Sequence, residues 1–239
     1  MSDSNLALMQ APLEQVEARS LTDRVYHQMR DRLMRGILKP HQRLRIGELS
    51  KTFGISETPI REAIFQLVRD GAVEAKPHSY FRVRKLSVAE YVERREIRLL
   101  LEPLAAERAL DNISDADIDR LASHHQRLIA AEANREWDPA VRANFDFHFG
   151  LYRGAKMPQL ITMLENLWLQ HGPLLNFLYP DGHPTYDGRH QHEHIVEALR
   201  ARDREALRAA VHADLVEGGR NFLRHLQELE KAEKAGEDA

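Results

Sequence analysis

The chain holds thirteen histidines and no cysteine in 239 residues, so any metal or acid–base chemistry in it rests on imidazoles and carboxylates rather than thiolates. Several of these groups recur at helical spacing. Asn144 and His148 stand four apart, as do His190 and His194, and each such pair shares one face of a helix. His212 and Asp214 follow near the C-terminal end. Nitrogen and carboxylate ligands gathered from separate helices are how a bundle builds a metal site. The competing reading is a pocket whose polar residues hold a small molecule directly, with no metal.

A second constellation is of a different kind. Gly54-Ile55-Ser56-Glu57-Thr58-Pro59-Ile60-Arg61-Glu62-Ala63 places short hydroxyl residues, Ser56 and Thr58, at the start of a helix. One turn later comes Arg61, a planar donor long enough to reach guanine O6 and N7. Hydroxyls at a helix start touch phosphates without holding the helix out of the major groove. Arg35 and Arg45 lie nearby as further phosphate contacts, and His78 and Arg82 fall where a wing would reach the backbone.

The elements that must carry these groups follow from periodicity. Val25, Met29 and Leu33 give a helix over Leu21 to about Arg35, ended by Gly36. Ile46 to Phe53 is a short second helix stopped by Gly54. Ser56 caps a third, whose apolar face is Ile60, Ile64, Leu67 and Val68. Two strand-like pieces follow, 72–76 and 80–84. This is the order of a winged helix-turn-helix: three helices and a two-stranded wing. Downstream the pattern is wholly helical. Ser87 to Glu90 is a capping box opening a helix to about Leu110, bent near Pro103, and Ser114 to Asp117 opens another to about Ala133. Further helices are expected at 138–154, 158–178, 187–201 and 203–232. The fold class is therefore mainly α, with an antiparallel helical bundle behind a small DNA-binding domain. The division reads as an arm over 1–18, a winged helix-turn-helix over 19–86, a helical domain over 87–232 and a frayed tail over 233–239.

Charge supports that division. Arg19 to Lys85 carry 15 Lys/Arg against 7 Asp/Glu, although the whole chain has a net charge of −3. A basic module joined to an acidic one is the asymmetry of a nucleic-acid-binding domain fused to something else. No segment has the basic start and apolar run of a signal peptide or the length of a membrane helix. The expected setting is the cytoplasm, with no membrane partner.

The sequence resembles the GntR family, in the branch that pairs a winged helix-turn-helix with an all-helical FCD effector domain. The resemblance is carried by Arg35-Gly36-Ile37-Leu38-Lys39-Pro40, Leu44, Glu48-Leu49, Gly54-Ile55-Ser56 to Ala63, and Asp70-Gly71-Ala72-Val73. It runs from about residue 20 to 230. It implies a homodimer on a pseudo-palindromic double-stranded operator, with repression relieved by a small molecule, often an organic acid. It also implies a metal set, which falls by motif on Asn144, His148, His194 and Asp214. Here asparagine replaces aspartate and aspartate replaces histidine, yet two imidazoles and a carboxylate still suit zinc, nickel or manganese. Arg98 is the cation expected to meet a carboxylate effector, with Gln170 and His190 as further pocket residues.

Two departures from the family pattern stand out. Glu57 occupies a position usually held by arginine, which points to an operator different from the common one. Ser79-Tyr80 replace an Arg-Gly pair at the wing tip, leaving His78 and Arg82 to make its contact. A metal-dependent hydrolase using the histidine-rich domain is the alternative. It lacks a general base beside the ligands and leaves the basic N-terminal module unexplained.

Overall fold

A computed structural model describes residues 21–76, 80–184, 186 and 188–237. The expected arm over 1–18 and the wing-tip residue His78 lie outside the described residues. The first module consists of α1 (Leu21–Met34), β1 (Arg43–Leu44), α2 (Ile46–Phe53), α3 (Glu57–Arg69), β2 (Val73–Lys76) and β3 (Tyr80–Val83). Val25, Met29 and Leu33 of α1 and Ile60, Ile64 and Leu67 of α3 are all buried, as their spacing requires. Gly54 ends α2 in the left-handed region at φ 67°, a conformation that costs glycine nothing sterically.

The wing differs from expectation by one strand. β1 pairs antiparallel with β3, Arg43 opposite Arg82, so the sheet has three strands in the order β1-β3-β2. The two residues of β1 are too few to show an alternating pattern, and only pairing reveals them.

The second module is helical: α4 (Val88–Ala109), α5 (Asp115–Ala133), α6 (Trp137–Tyr152), α7 (Pro158–His171), α8 (Gln191–Ala201), α9 (Arg204–Ala213) and α10 (Gly219–Glu237). Both capping boxes form, Ser87 with Glu90 and Ser114 with Asp117. α7 stops earlier than expected, at His171, and the chain continues as a 3-10 turn from Gly172 to Phe177. α9 and α10 are joined by a π-helical turn, Asp214–Gly218. α10 runs on to Glu237, so most of the expected frayed tail is helical.

One apolar core crosses from the first module into the second. It joins Val25, Met29 and Leu33 to Phe145, Trp168, Leu174 and Phe222. The backbones approach closely at Gly172, where an added Cβ would lie 2.3 Å from the Leu33 carbonyl oxygen. Polar contacts ring this seam. Asn176 Nδ2 donates to the Gly36 carbonyl at 2.8 Å and Gln170 Nε2 to that of Asp70 at 2.8 Å. Arg30 donates to Asn166 at 2.7 Å.

Candidate nucleic-acid interface and effector pocket

The apolar face of α3 is sunk in the first module, which leaves Ser56, Glu57, Thr58, Arg61 and Glu62 exposed on the other side. Ser56 occupies the N-cap position, but its side chain makes no capping hydrogen bond. Arg61 meets Glu57 only at 3.7 Å with both side chains more than half exposed, a pair worth under about 1 kcal/mol. A base edge or a phosphate therefore competes for Arg61 at small cost.

Beside the start of α3 a groove opens between α2, β1 and the wing. Arg45, Arg61 and Lys76 line it together with Tyr80. Arg43 lies over the Tyr80 ring at 4.4 Å. Arg45 is 62% exposed at its side chain and pairs locally with Glu48. Lys76 was not among the expected contacts. Its position follows from the β2–β3 register, Lys76 opposite Tyr80.

Two expected DNA contacts are otherwise engaged. Arg35 is bound by Asp31 and by Asp146 of α6 and lies over the Phe145 ring. It ties the modules together and does not face the groove. Arg82 pairs across the strand with Glu74. Its guanidinium is a half-buried brace of the wing, and it shares Glu74 with Lys76, which lies 3.0 Å from the same carboxylate.

In the second module a pocket is lined by Tyr91, Arg95 and Arg98 of α4, Asn144 and His148 of α6, and Asp214 and Gly218 of the π turn, among others. At its base His148, His192 and Asp214 converge. His148 Nε2 is 3.5 Å from Asp214 Oδ2 and 3.4 Å from His192 Nε2, and His192 Nε2 is 3.8 Å from Asp214 Oδ1. All three residues are buried. His194, the expected ligand, is instead exposed and pairs with Glu197 at 3.7 Å. The reason is helical phase. Ile195, Val196 and Leu199 form the buried stripe of α8, and His192 stands three, four and seven residues before them. Asn144 lines the same pocket one turn before His148.

A buried relay stands behind His148. Its Nδ1 is 3.1 Å from the Tyr152 hydroxyl, which donates to Glu102 Oε2 at 2.7 Å. Glu102 also accepts from Trp168 Nε1 at 2.7 Å and from Arg98 Nε at 2.6 Å. The Tyr152 proton is committed to Glu102, so the Tyr152 oxygen accepts from His148 Nδ1–H. That leaves the Nε2 lone pair of His148 facing Asp214 and His192. Burial opposes ionisation of Glu102, but Arg98 outweighs it and holds the carboxyl below its ordinary range. Burial pushes His148 down to about 4 and His192 well below the usual imidazole range. Burial, with help from Glu102, raises Asp214 to about 7. Two imidazoles and a carboxyl gathered in this way are a donor set that would suit a divalent transition ion.

The expected effector residues divide. Arg98 does line the pocket, but it is 5% exposed, bound to Glu102 and set over the Trp168 ring at 4.7 Å. Gln170 lies outside, spent on Arg94 and the Asp70 carbonyl at the seam. His190 caps α8 by accepting from the His192 amide at 3.0 Å. The residues that sequence reasoning missed are His192, Tyr91 and Arg95. Arg95 donates to the Leu215 and Val216 carbonyls of the π turn, at 3.0 Å for each from its terminal nitrogen.

Comparison with known proteins agrees with both modules. Residues 21–83 match the model of the bacterial regulatory proteins, gntR family, and residues 93–217 that of the FCD domain. The HTH-type transcriptional regulator McbR of Escherichia coli K12 is 31% identical over 191 residues, covering 79% of this chain and 86% of that protein. The HTH-type transcriptional repressor RspR of the same organism is 25% identical, covering 89% of this chain and 88% of its own. The solved structure of E. coli McbR/YncC superposes with a TM-score of 0.75 at 29% identity, over 89% of this chain and all of that one (100%). A putative GntR regulator from Rhodococcus sp. RHA1 shares the fold, with a TM-score of 0.69 at 20% identity over 86% of this chain and 98% of that one. These matches leave the hydrolase alternative without support. The chain belongs to the GntR family of bacterial regulatory proteins and carries an FCD domain: it is a DNA-binding transcription regulator, not an enzyme.

Proposed function

We propose that this regulator is a repressor that binds a pseudo-palindromic operator as a homodimer, and that a small carboxylate held with a divalent ion in the FCD pocket changes its affinity for DNA. The observation that carries the reading is the convergence of His148, His192 and Asp214 beneath a pocket that also holds Asn144, Arg95 and Arg98. His148, His192 and Asp214 would ligate the ion, with Asn144 alongside. Once bound, the ion would offer open positions to a carboxylate oxygen. Arg95, whose partners are carbonyl oxygens, adds positive charge to the pocket, whereas the charge of Arg98 is balanced by Glu102. Zinc, nickel or manganese would suit the set.

Two further features support the dimer and the DNA contact. Ile97 and Leu100 on α4 and Met163 on α7 are exposed, Leu100 by 69%, a face that a second copy would cover. Ser56, Thr58, Arg61, Arg45 and Lys76 would meet successive major grooves from each protomer. The effector would act through a coupling of about 1–3 kcal/mol.

The test is operator binding by fluorescence anisotropy at several salt concentrations, with and without zinc(II), nickel(II) or manganese(II) and a panel of small carboxylates. His148→Ala and His192→Ala should abolish the response to ion and carboxylate, while His194→Ala should keep it. An unchanged response in both former variants would overturn the pocket assignment. DNA affinity that ignores salt would overturn the operator reading, since phosphate contacts release counterions.

A further inference from the structure

His192 presents its Nε2 to the inner trio, and its opposite edge enters a second cluster. His125 of α5 and His190, the N-cap of α8, lie beside it with ring centroids 5.5 Å and 4.4 Å away and 4.9 Å from each other. One ring nitrogen from each of the three lies within 4.8 Å of the others. His125 is 9% exposed and His192 1%. The Nδ1 atoms of both are buried with no hydrogen-bond partner. An unpartnered buried polar atom is costly, and here two stand on neighbouring rings.

Proton placement makes these nitrogens donors of lone pairs. His125 Nε2 faces the Glu193 carboxylate at 3.9 Å, which favours the proton on Nε2 and leaves Nδ1 bare. Two nitrogens bound to one tetrahedral ion at about 2.0–2.1 Å stand roughly 3.4 Å apart. Small side-chain rotations close the present spacing to that value.

We propose that His125, His190 and His192 form a second metal site, which takes one borderline divalent ion such as zinc(II), nickel(II) or copper(II). An all-imidazole set favours these ions over magnesium or calcium, which need oxygen ligands. His190, the most accessible of the three, marks the side from which an ion and a completing water enter. It exchanges its capping bond to the His192 amide for the ion. When both sites are filled, His192 bridges the two ions, its Nε2 on the inner and its Nδ1 on the outer, having released its ring proton to solvent. The site rests on the inner-trio reading only through this shared ring.

The experiment counts ions. Full-length protein is stripped with a chelator, loaded with zinc(II) or copper(II), freed of excess metal by gel filtration and assayed by elemental analysis. The wild type should hold two equivalents. His125→Gln and His190→Asn should each hold one, and the asparagine retains an oxygen that can cap α8, so loss there is not loss of the helix. His148→Ala should keep one equivalent, at the outer site, and His192→Ala should lose both. A wild type holding one equivalent that His125→Gln and His190→Asn retain overturns the outer site and leaves the inner one standing. A single equivalent lost in those two variants but kept by His148→Ala upholds the outer site and removes the inner. No bound metal in the wild type overturns both.

Discussion

Glu102→Gln is the substitution that asks most of this structure. The carboxylate is fully buried and accepts from Arg98, Trp168 and Tyr152. Glutamine is nearly isosteric but has one acceptor oxygen and one donor nitrogen. With the oxygen kept towards Arg98 and Trp168, the amide nitrogen points at Tyr152 and donates to it. The Tyr152 hydroxyl must then turn its proton onto His148 Nδ1, which moves the imidazole proton to Nε2, the nitrogen that faces Asp214 and His192. One uncharged atom exchange thus inverts the relay and removes the ligand lone pair.

Two magnitudes follow. Breaking a buried pair by removing one partner costs about 3–5 kcal/mol, because Arg98 keeps its charge in a dry site. For a chain of this size that lowers Tm by roughly 6–20 °C, at about 2–4 °C per kcal/mol. Loss of the orienting partner lowers metal affinity about 10–100-fold. Thermal unfolding measures the first, and competitive titration against a chromophoric chelator the second. Tyr152→Phe separates them: it breaks the relay yet leaves the Arg98–Glu102 pair intact, so metal affinity should fall with a much smaller change in Tm. A Glu102→Gln protein with Tm within 2 °C of wild type and metal affinity within twofold would refute the reasoning.

The remaining predictions concern the other surfaces. Arg61→Ala should weaken specific operator binding by about 1–3 kcal/mol, roughly 5–150-fold, and relax discrimination at the base it reads; an unchanged affinity in anisotropy titrations would remove Arg61 from the interface. Glu57→Arg should change the operator recovered by in vitro selection, because the side chain is exposed at the groove-facing start of α3; identical selected sequences would count against that placement. Gly172→Ala drives a Cβ into the Leu33 and Met34 carbonyl oxygens, at 2.3 and 2.6 Å. Such overpacking should cost about 1–3 kcal/mol and loosen the seam, seen as faster amide exchange at the end of α1.

What was legible in the sequence depended on whether a residue's role was set within its own helix. The exposed face of α3 follows from Ile60, Ile64 and Leu67, so Ser56, Thr58 and Arg61 could be placed without a structure. The same reasoning, applied strictly, selects His192 over His194. The Glu193-His194 motif points to His194, but the apolar phase of Ile195, Val196 and Leu199 turns His192 inward and leaves His194 exposed. Arg98 and Glu102 resemble an exposed i,i+4 pair. Yet both lie in phase with Ala105, Ala106 and Ala109, all fully buried, and that signal was available too. Other roles had no local signal. Arg35 is claimed by Asp146, 111 residues away, and Gln170 by the Asp70 carbonyl, 100 residues away. No periodicity announces such partners. Nor does it announce the π turn, which depends on Arg95 reaching two carbonyls about 120 residues further on.

That turn gives the proposed coupling a physical course. Asp214, Leu215, Gly218 and Gly219 border the pocket, and α10 begins at Gly219. Phe222 of α10 lines the pocket and, with Leu226, enters the core shared with the DNA-binding module. Further along, Glu230 accepts from the Val88 amide at 3.2 Å and Glu233 pairs with Lys85. Lys85 lies within the short link between β3 and α4, and Val88 is the first residue of α4. At 1.5 Å per residue, Glu233 stands about 21 Å along the helix from Gly219. A tilt of about 5° at the π turn would therefore move Glu233 by roughly 2 Å, a displacement that a packed core transmits rather than absorbs. A ligand that draws Asp214 or the Leu215 carbonyl towards α4 would shift the base of this lever. Its far end bears on the link between β3 and α4, so one helix would carry the proposed coupling from the pocket to the segment that follows the wing.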